Sequence, residues 1–264
     1  MRDYALRFDT SKFKDLDSYA LLARQDYNLT NHSNWFGEFR SGMAGFWGRL
    51  HGVASNFADV HSWGRIHINR AESLIASTFF NMDSAIECLA YSLNALGYAA
   101  LPHSFWNIND PQVLKNISPL AFFGDNQIKP KIVAEGVETI FPTIVETWSR
   151  HRESLFDVIV AHHDASKHRK SVFVGGQVRT DPPQDLLDQL GIKRGSSEQF
   201  VVAPMAEILL KQDPKDTGTI AIPQQPRTLE LLASEFVDFI SESGAAALTD
   251  AKANIFLNES ELRE

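Results

Sequence analysis

The strongest alternation of apolar and polar positions lies over residues 70–97. Ile75, Phe79, Met82, Ile86, Leu89, Leu93 and Leu96 recur at spacings of 4, 3, 4, 3, 4 and 3. A stripe with this period predicts a long core-facing helix, and Gly97 stands where a C′ glycine would end it. A second rhythm, over 131–169, runs through Val137, Phe141, Ile144, Trp148, His151, Leu155, Val158 and His162. It predicts a second long helix that kinks or restarts at Pro142. Between the two, Pro102, Pro111, Pro119 and Pro130 stand among Asn and Asp, the texture of a long irregular crossover with short helical turns.

Elsewhere the pattern is weaker. Residues 1–40 lack clean periodicity, although Asp9-Thr10-Ser11 offers a start for a short helix and 28–33 reads as loop. Gly37, Gly42, Gly45 and Gly48 argue against helix across 37–50, because each glycine costs backbone entropy. Leu50, Val53, Phe57 and Val60 allow a helix over 49–63. After Lys170 the texture turns β-like: Ser171 to Val174 reads as strand broken by Gly175-Gly176, 184–190 as a short helix, Phe200 to Leu210 as one or two strands, and Thr219 to Ile222 as another. Leu229, Leu232, Phe236, Phe239 and Ile240 mark an amphipathic helix. The fold class expected is mainly α, a helical bundle with a small α+β C-terminal appendage. In the organisation expected, 1–170 holds an aromatic-rich N-terminal region and the bundle. Residues 171–264 hold the appendage and terminal helices, packed on the bundle as one unit.

Composition narrows the class. Across 264 residues, 44% hydrophobic and 22% charged positions exclude a disordered, collagen-like or coiled-coil chain. A net charge of −8 argues against a broad non-specific grip on nucleic acid and leaves room for a local basic patch. One cysteine, Cys88, allows no intramolecular disulfide and fits a reducing, cytoplasmic location; its place on the apolar helix makes it a small buried residue. Neither a signal peptide nor a membrane span is expected. The early aromatics Trp35, Phe36, Phe39, Phe46, Trp47, Phe57 and Trp63 read as core. No phosphate-cradling glycine loop and no Gly-x-Ser-x-Gly elbow occurs.

Candidate chemistry concentrates at 150–170, with Arg150-His151-Arg152 followed by His162-His163-Asp164-Ala165-Ser166-Lys167-His168-Arg169-Lys170. Histidine titrates near neutrality, ligates metals and moves protons. One possibility is a carboxylate–histidine metal site for zinc, manganese or iron. Its ligands would be His163, Asp164 and His168, with His162 nearby, joined by Asp83 and Glu87, which lie four apart on the helix 70–97 away from its apolar stripe. The string His163-Asp164-Ala165-Ser166-Lys167 resembles the HD…K element of HD-domain metal phosphohydrolases. The window 128–138, where that family would carry another His, contains none.

The two long helices, the long crossover and the His/Arg-rich end of the second helix resemble HEPN-type helical bundles of prokaryotes. That resemblance covers about 70–170 and implies a metal-independent, RNA-directed protein, often a homodimer. Arg152, His162, His163 and His168 would be its catalytic candidates, and Lys167, Arg169 and Lys170 its phosphate contacts. The family's compact spacing of Arg and His differs here: Arg152 precedes His163 by eleven positions, about 16 Å along a helix. Two further possibilities stand beside it. In the first, the cluster is a basic helix end, favourable against the helix dipole, with His151 and His162 as hydrogen-bonded core residues. The protein would then be a non-catalytic, partner-binding subunit of a larger assembly.

Overall fold

The 4-3 stripe over 70–97 forms one helix. A computed structural model of the chain describes residues 5–24, 34–62, 68–125, 130–167, 173–178, 184–196, 205–211 and 227–255. The mainly helical class expected from the sequence is the class observed. Helix α1 spans Ser11–Ala23, α2 Trp35–His61 and α3 Ile68–Ala100. Every stripe residue of α3, from Ile75 to Leu96, is fully buried. Gly97 does not end α3 but lies inside it: a Cβ there would sit 2.3 Å from the ring of Phe105. The glycine is needed for that close approach.

Helix α2 runs unbroken through the glycines that argue against it. A Cβ on Gly42 would meet Ser92 Oγ at 2.2 Å and the Cys88 carbonyl oxygen at 3.0 Å, and one on Gly45 would meet Cys88 Sγ at 2.9 Å. Glycine at 42 and 45 lets α2 approach α3 closely, which a side chain there would prevent, and the close packing offsets the roughly 1 kcal/mol helix penalty of these glycines.

The second predicted helix is segmented. Helix α4 spans Lys131–Ile140 and α5 Pro142–Arg150, then a π-helical turn covers Arg152–Phe156 and α6 runs Asp157–Lys167. Pro142 occupies the first position of α5, where its missing N–H costs nothing. The crossover contains single helical turns at Pro102–Ser104, Pro111–Leu114 and Pro119–Ala121.

Strands β1 (Phe173–Val178) and β2 (Met205–Leu210) form an antiparallel pair with Phe173 opposite Leu210 and Val178 opposite Met205. The break expected at Gly175-Gly176 is not there: both glycines pair within β1, opposite Leu209 and Ile208, and the register shifts fall on either side, between Phe173 and Gly175 and between Gln177 and Val178. Helix α7 spans Gln184–Leu190, and α8 spans Leu229–Asn254 after an isolated bridge between Leu209 and Thr228. The expected strand at Thr219 to Ile222 and the aromatic Trp63 lie outside the described residues. Among the described residues no helix is long and apolar enough to cross a membrane.

The chain divides into two compact units, each drawn from three stretches. The first comprises Met1–Arg7, Leu50–Asp83 and Asp157–Phe236; the second comprises Phe8–Arg49, Ser84–Phe156 and Val237–Glu264. In the second unit the buried ring of Trp148 lies 5.6, 5.0 and 5.5 Å from those of Phe122, Phe123 and Phe239. Its indole N–H donates to Ser243 Oγ at 2.9 Å. The buried Asp250 accepts from the Thr143 and Ile144 N–H groups at 3.2 and 2.9 Å. Tyr91 donates to Glu38, and burial, more than that contact, pushes the Tyr91 hydroxyl pKa up. In the first unit, Glu230 at the start of α8 lies 3.1 Å from His61 Nε2 and accepts from the Ile208 N–H of β2.

Candidate active site

In the first unit, two consecutive phenylalanines of α3 meet two consecutive histidines of α6. Phe79 belongs to the buried stripe, and its ring stacks on His162 at 4.8 Å and 17°. Phe80, the next residue, is 39% exposed and meets His163 edge-to-face at 5.3 Å and 72°. One turn further along α3, Asp83 Oδ2 lies 2.5 Å from His163 Nδ1. Both partners of this contact are buried, their side chains 10% and 7% exposed.

The sequence placed Asp83 away from the apolar stripe; the structure corrects this. Asp83 follows Phe79 by four and precedes Ile86 by three, so it continues the buried face. A carboxylate held there needs a partner, because a lone buried charge is strongly unfavourable. His163 supplies the donor. An ionised carboxylate only accepts hydrogen bonds, so the imidazole proton is held on Nδ1 and the Nε2 lone pair is left for a proton or a metal. Among the described residues Nε2 has no hydrogen-bond partner.

His162 is differently placed. Its Nδ1 lies 2.8 Å from the Val158 carbonyl oxygen and its Nε2 3.1 Å from that of Lys211. Burial holds its pKa below the ordinary histidine value, assisted by Arg227 and opposed by the two carbonyl contacts. The neutral ring donates to only one of these carbonyls. His162 thus matches the expected hydrogen-bonded core histidine. Asp164 and Lys167 form a pair at 3.5 Å, 43% and 55% exposed, at the end of α6. Glu87 is exposed on α3, in the second unit. Arg152 lies in the π-helical turn of the second unit and donates to Asp125 at 3.1 Å. His151, which caps the end of α5 just before that turn, lies 3.0 Å from Glu242. His168, Arg169 and Lys170 lie outside the described residues.

Of the proposed site residues, Asp83 and His163 are therefore brought into direct contact, while Asp164 turns to Lys167. Among the described residues no group of three or more His, Cys, Asp and Glu is arranged to hold a metal ion. Cys88 is half-buried, and burial raises its thiol pKa, which keeps it an unreactive thiol.

No family model matches the chain, no curated protein matches it in sequence, and no solved structure matches it in fold.

Proposed function

We propose that this protein is an RNA-directed enzyme in which His163, oriented by Asp83, is the general base. The observation that carries the reading is the buried 2.5 Å contact between Asp83 Oδ2 and His163 Nδ1. Such a pair fixes the tautomer, aims the ring and stabilises the imidazolium that forms when Nε2 takes a proton. It provides a proton acceptor without a protein nucleophile. RNA supplies its own nucleophile, the ribose 2′-hydroxyl. Nε2 takes the 2′-OH proton as the O2′–P bond forms, and the 5′ oxygen leaves with a proton from a second group, for which His168 is the candidate. Lys167, one turn beyond His163 on α6, is a phosphate contact; its exposed pairing with Asp164 is worth little and is readily given up to a phosphate. This chemistry is that of the HEPN-like class, with an Asp–His pair in place of a compact Arg–His motif.

The test is RNA cleavage by wild type, His163→Ala and Asp83→Asn in the presence of a chelator. Wild type is expected to leave a 2′,3′-cyclic phosphate, and His163→Ala to lower kcat by about 10²–10⁴. Asp83 is a positioning residue: Asp83→Asn is expected to lower kcat with KM unchanged and to move the basic-group limb of the pH–rate profile, which a merely structural role would not move. RNA cleavage that survives His163→Ala overturns the reading, as does a wild type that cleaves no RNA.

The same contact favours a second reading. Metal-binding histidines commonly donate their other ring N–H to a carboxylate. Asp83 would then orient His163 for a zinc, manganese or iron ion, with His168 as a further ligand. Near-stoichiometric metal in the purified protein, lost in His163→Ala, would replace the RNA reading with a metal-dependent hydrolase or oxidase.

A further inference from the structure

We propose that the substrate is a short oligoribonucleotide, held through a few phosphates by Lys167 and Lys211, and not a long RNA gripped along its backbone. This inference rests on the RNA reading and narrows it. A protein's hold on a nucleic acid grows with the number of phosphates its cations neutralise. The cations fixed beside the proposed base therefore set the length of strand that the site rewards. Lys167 stands four positions beyond His163 on α6 and so shares its side of the helix. Lys211 comes from a different element. Its carbonyl oxygen, just past the end of β2, lies 3.1 Å from Nε2 of His162, the residue next to His163. Lys211 is half-buried, and among the described residues its ammonium forms no ion pair.

Beyond these two lysines the charge turns against a polyanion. Arg227, whose carbonyl oxygen accepts from the Leu210 N–H beside Lys211 at 2.9 Å, is already paired with Glu235. Asp157 and Asp164 share α6 with Lys167, and Glu207 shares β2 with the approach to Lys211. A strand that runs on from the site thus meets carboxylates on the elements that supply its contacts, in a chain with 33 Asp and Glu against 25 Lys and Arg. Arg169 and Lys170 follow Lys167 in sequence and bring the available phosphate contacts to about four. At about 0.7 per phosphate for a single strand, four contacts give a log–log salt slope near −3, whereas a grip on 6–10 phosphates gives about −4 to −7.

The test uses the full chain and single-stranded RNAs of about 4, 8 and 30 nucleotides, with kcat/KM expressed per cleavable bond and followed from low to physiological salt. The proteins are wild type, Lys211→Ala, Lys211→Arg and His163→Ala. Lys211→Ala keeps the carbonyl oxygen that faces His162, so the contact between the end of β2 and α6 survives the loss of the charge. For wild type, kcat/KM is expected to level off by about 8 nucleotides, with a salt slope no steeper than about −3. Lys211→Ala is expected to flatten that slope by about 0.7, and Lys211→Arg to restore it. A wild type that favours the longest strand by more than about tenfold, or a slope steeper than about −4, overturns the inference; the RNA reading still stands where His163→Ala abolishes cleavage. Lys211→Ala with the wild-type slope overturns the assignment of Lys211. A wild type that cleaves none of the strands overturns both readings.

Discussion

Replacing Asp250 tests whether a carboxylate from α8 caps a helix more than a hundred residues earlier in the chain. An α-helix begins with N–H groups that have no partner within it. At the start of α5 these are fully accounted for. Pro142 has no N–H, the Val145 N–H donates to the Phe141 carbonyl at 3.0 Å, and the Thr143 and Ile144 N–H groups donate to Asp250. The residue before the helix, Phe141, contributes no side-chain cap. Asp250→Ala leaves two donors unmatched in a site where Asp250 is 2% and Ile144 0% exposed. Each unmatched buried donor costs about 1–3 kcal/mol. Removing a carboxylate that burial disfavours offsets part of this, for a net loss of roughly 2–4 kcal/mol. For a chain of this length that is a fall in Tm of roughly 4–12 °C, readable by circular dichroism. Asp250→Asn keeps one acceptor oxygen and turns its amide N–H₂ toward the other donor, so its loss should be smaller, about 1–2 kcal/mol. The pH dependence adds a signed check. Burial, the largest influence, raises the Asp250 pKa despite the contacts with Thr143 and Ile144 that lower it. The folded state therefore holds this proton more tightly than the unfolded state. The associated stability is fully present below the ordinary carboxylate value and is lost as pH rises through the raised one. Wild type should exceed Asp250→Asn most at acid pH, with the gap shrinking as pH rises. An Asp250→Ala loss below about 0.5 kcal/mol, within the range of an ordinary surface change, would refute the capping account, and a gap that widens with pH would refute the raised pKa.

Two glycines should respond oppositely to the same change. Nothing lies within 4 Å of a Cβ at Gly48 of α2, so Gly48→Ala should stabilise by about 0.5–1 kcal/mol in a urea titration; a loss would contradict the open environment. Gly97→Ala should destabilise by about 1–3 kcal/mol, because the new methyl would lie 2.3 Å from the Phe105 ring, and a neutral result would contradict the close approach. His162 is held below its ordinary pKa by burial, so the unfolded state binds its proton first on acidification. Stability should fall as pH drops through the ordinary histidine value toward the lowered one, and His162→Gln should flatten that part of the urea-midpoint profile. Equal slopes in the two proteins would count against a buried neutral His162.

What the sequence disclosed, and what it concealed, follows from the range of the interactions involved. Helix α3 was legible because its stripe is a local repeat with seven apolar residues in register. The break at Pro142 was legible because proline acts on its own backbone. Helix α2 was not, because glycine reads as a helix breaker until a neighbour such as Ser92 or Cys88 is known to lie against it. The π-helical turn at Arg152–Phe156 interrupts a 4-3 pattern that carries no mark of it. The dyad lies between these cases. Asp83 occupies a stripe position, four after Phe79 and three before Ile86, and a carboxylate on a buried face implies a buried donor. On the second rhythm, His162 and its neighbour His163 were the titratable donors nearest the apolar face of α6. These two adjacent histidines were candidate partners only once Asp83 was seen to lie on the buried face. Choosing between them requires the backbone, since rotation about α6 turns His162 into two carbonyl oxygens and His163 onto the carboxylate. The sequence reading set Asp83 off the stripe and so did not show it buried, and tertiary packing is what set this carboxylate against His163.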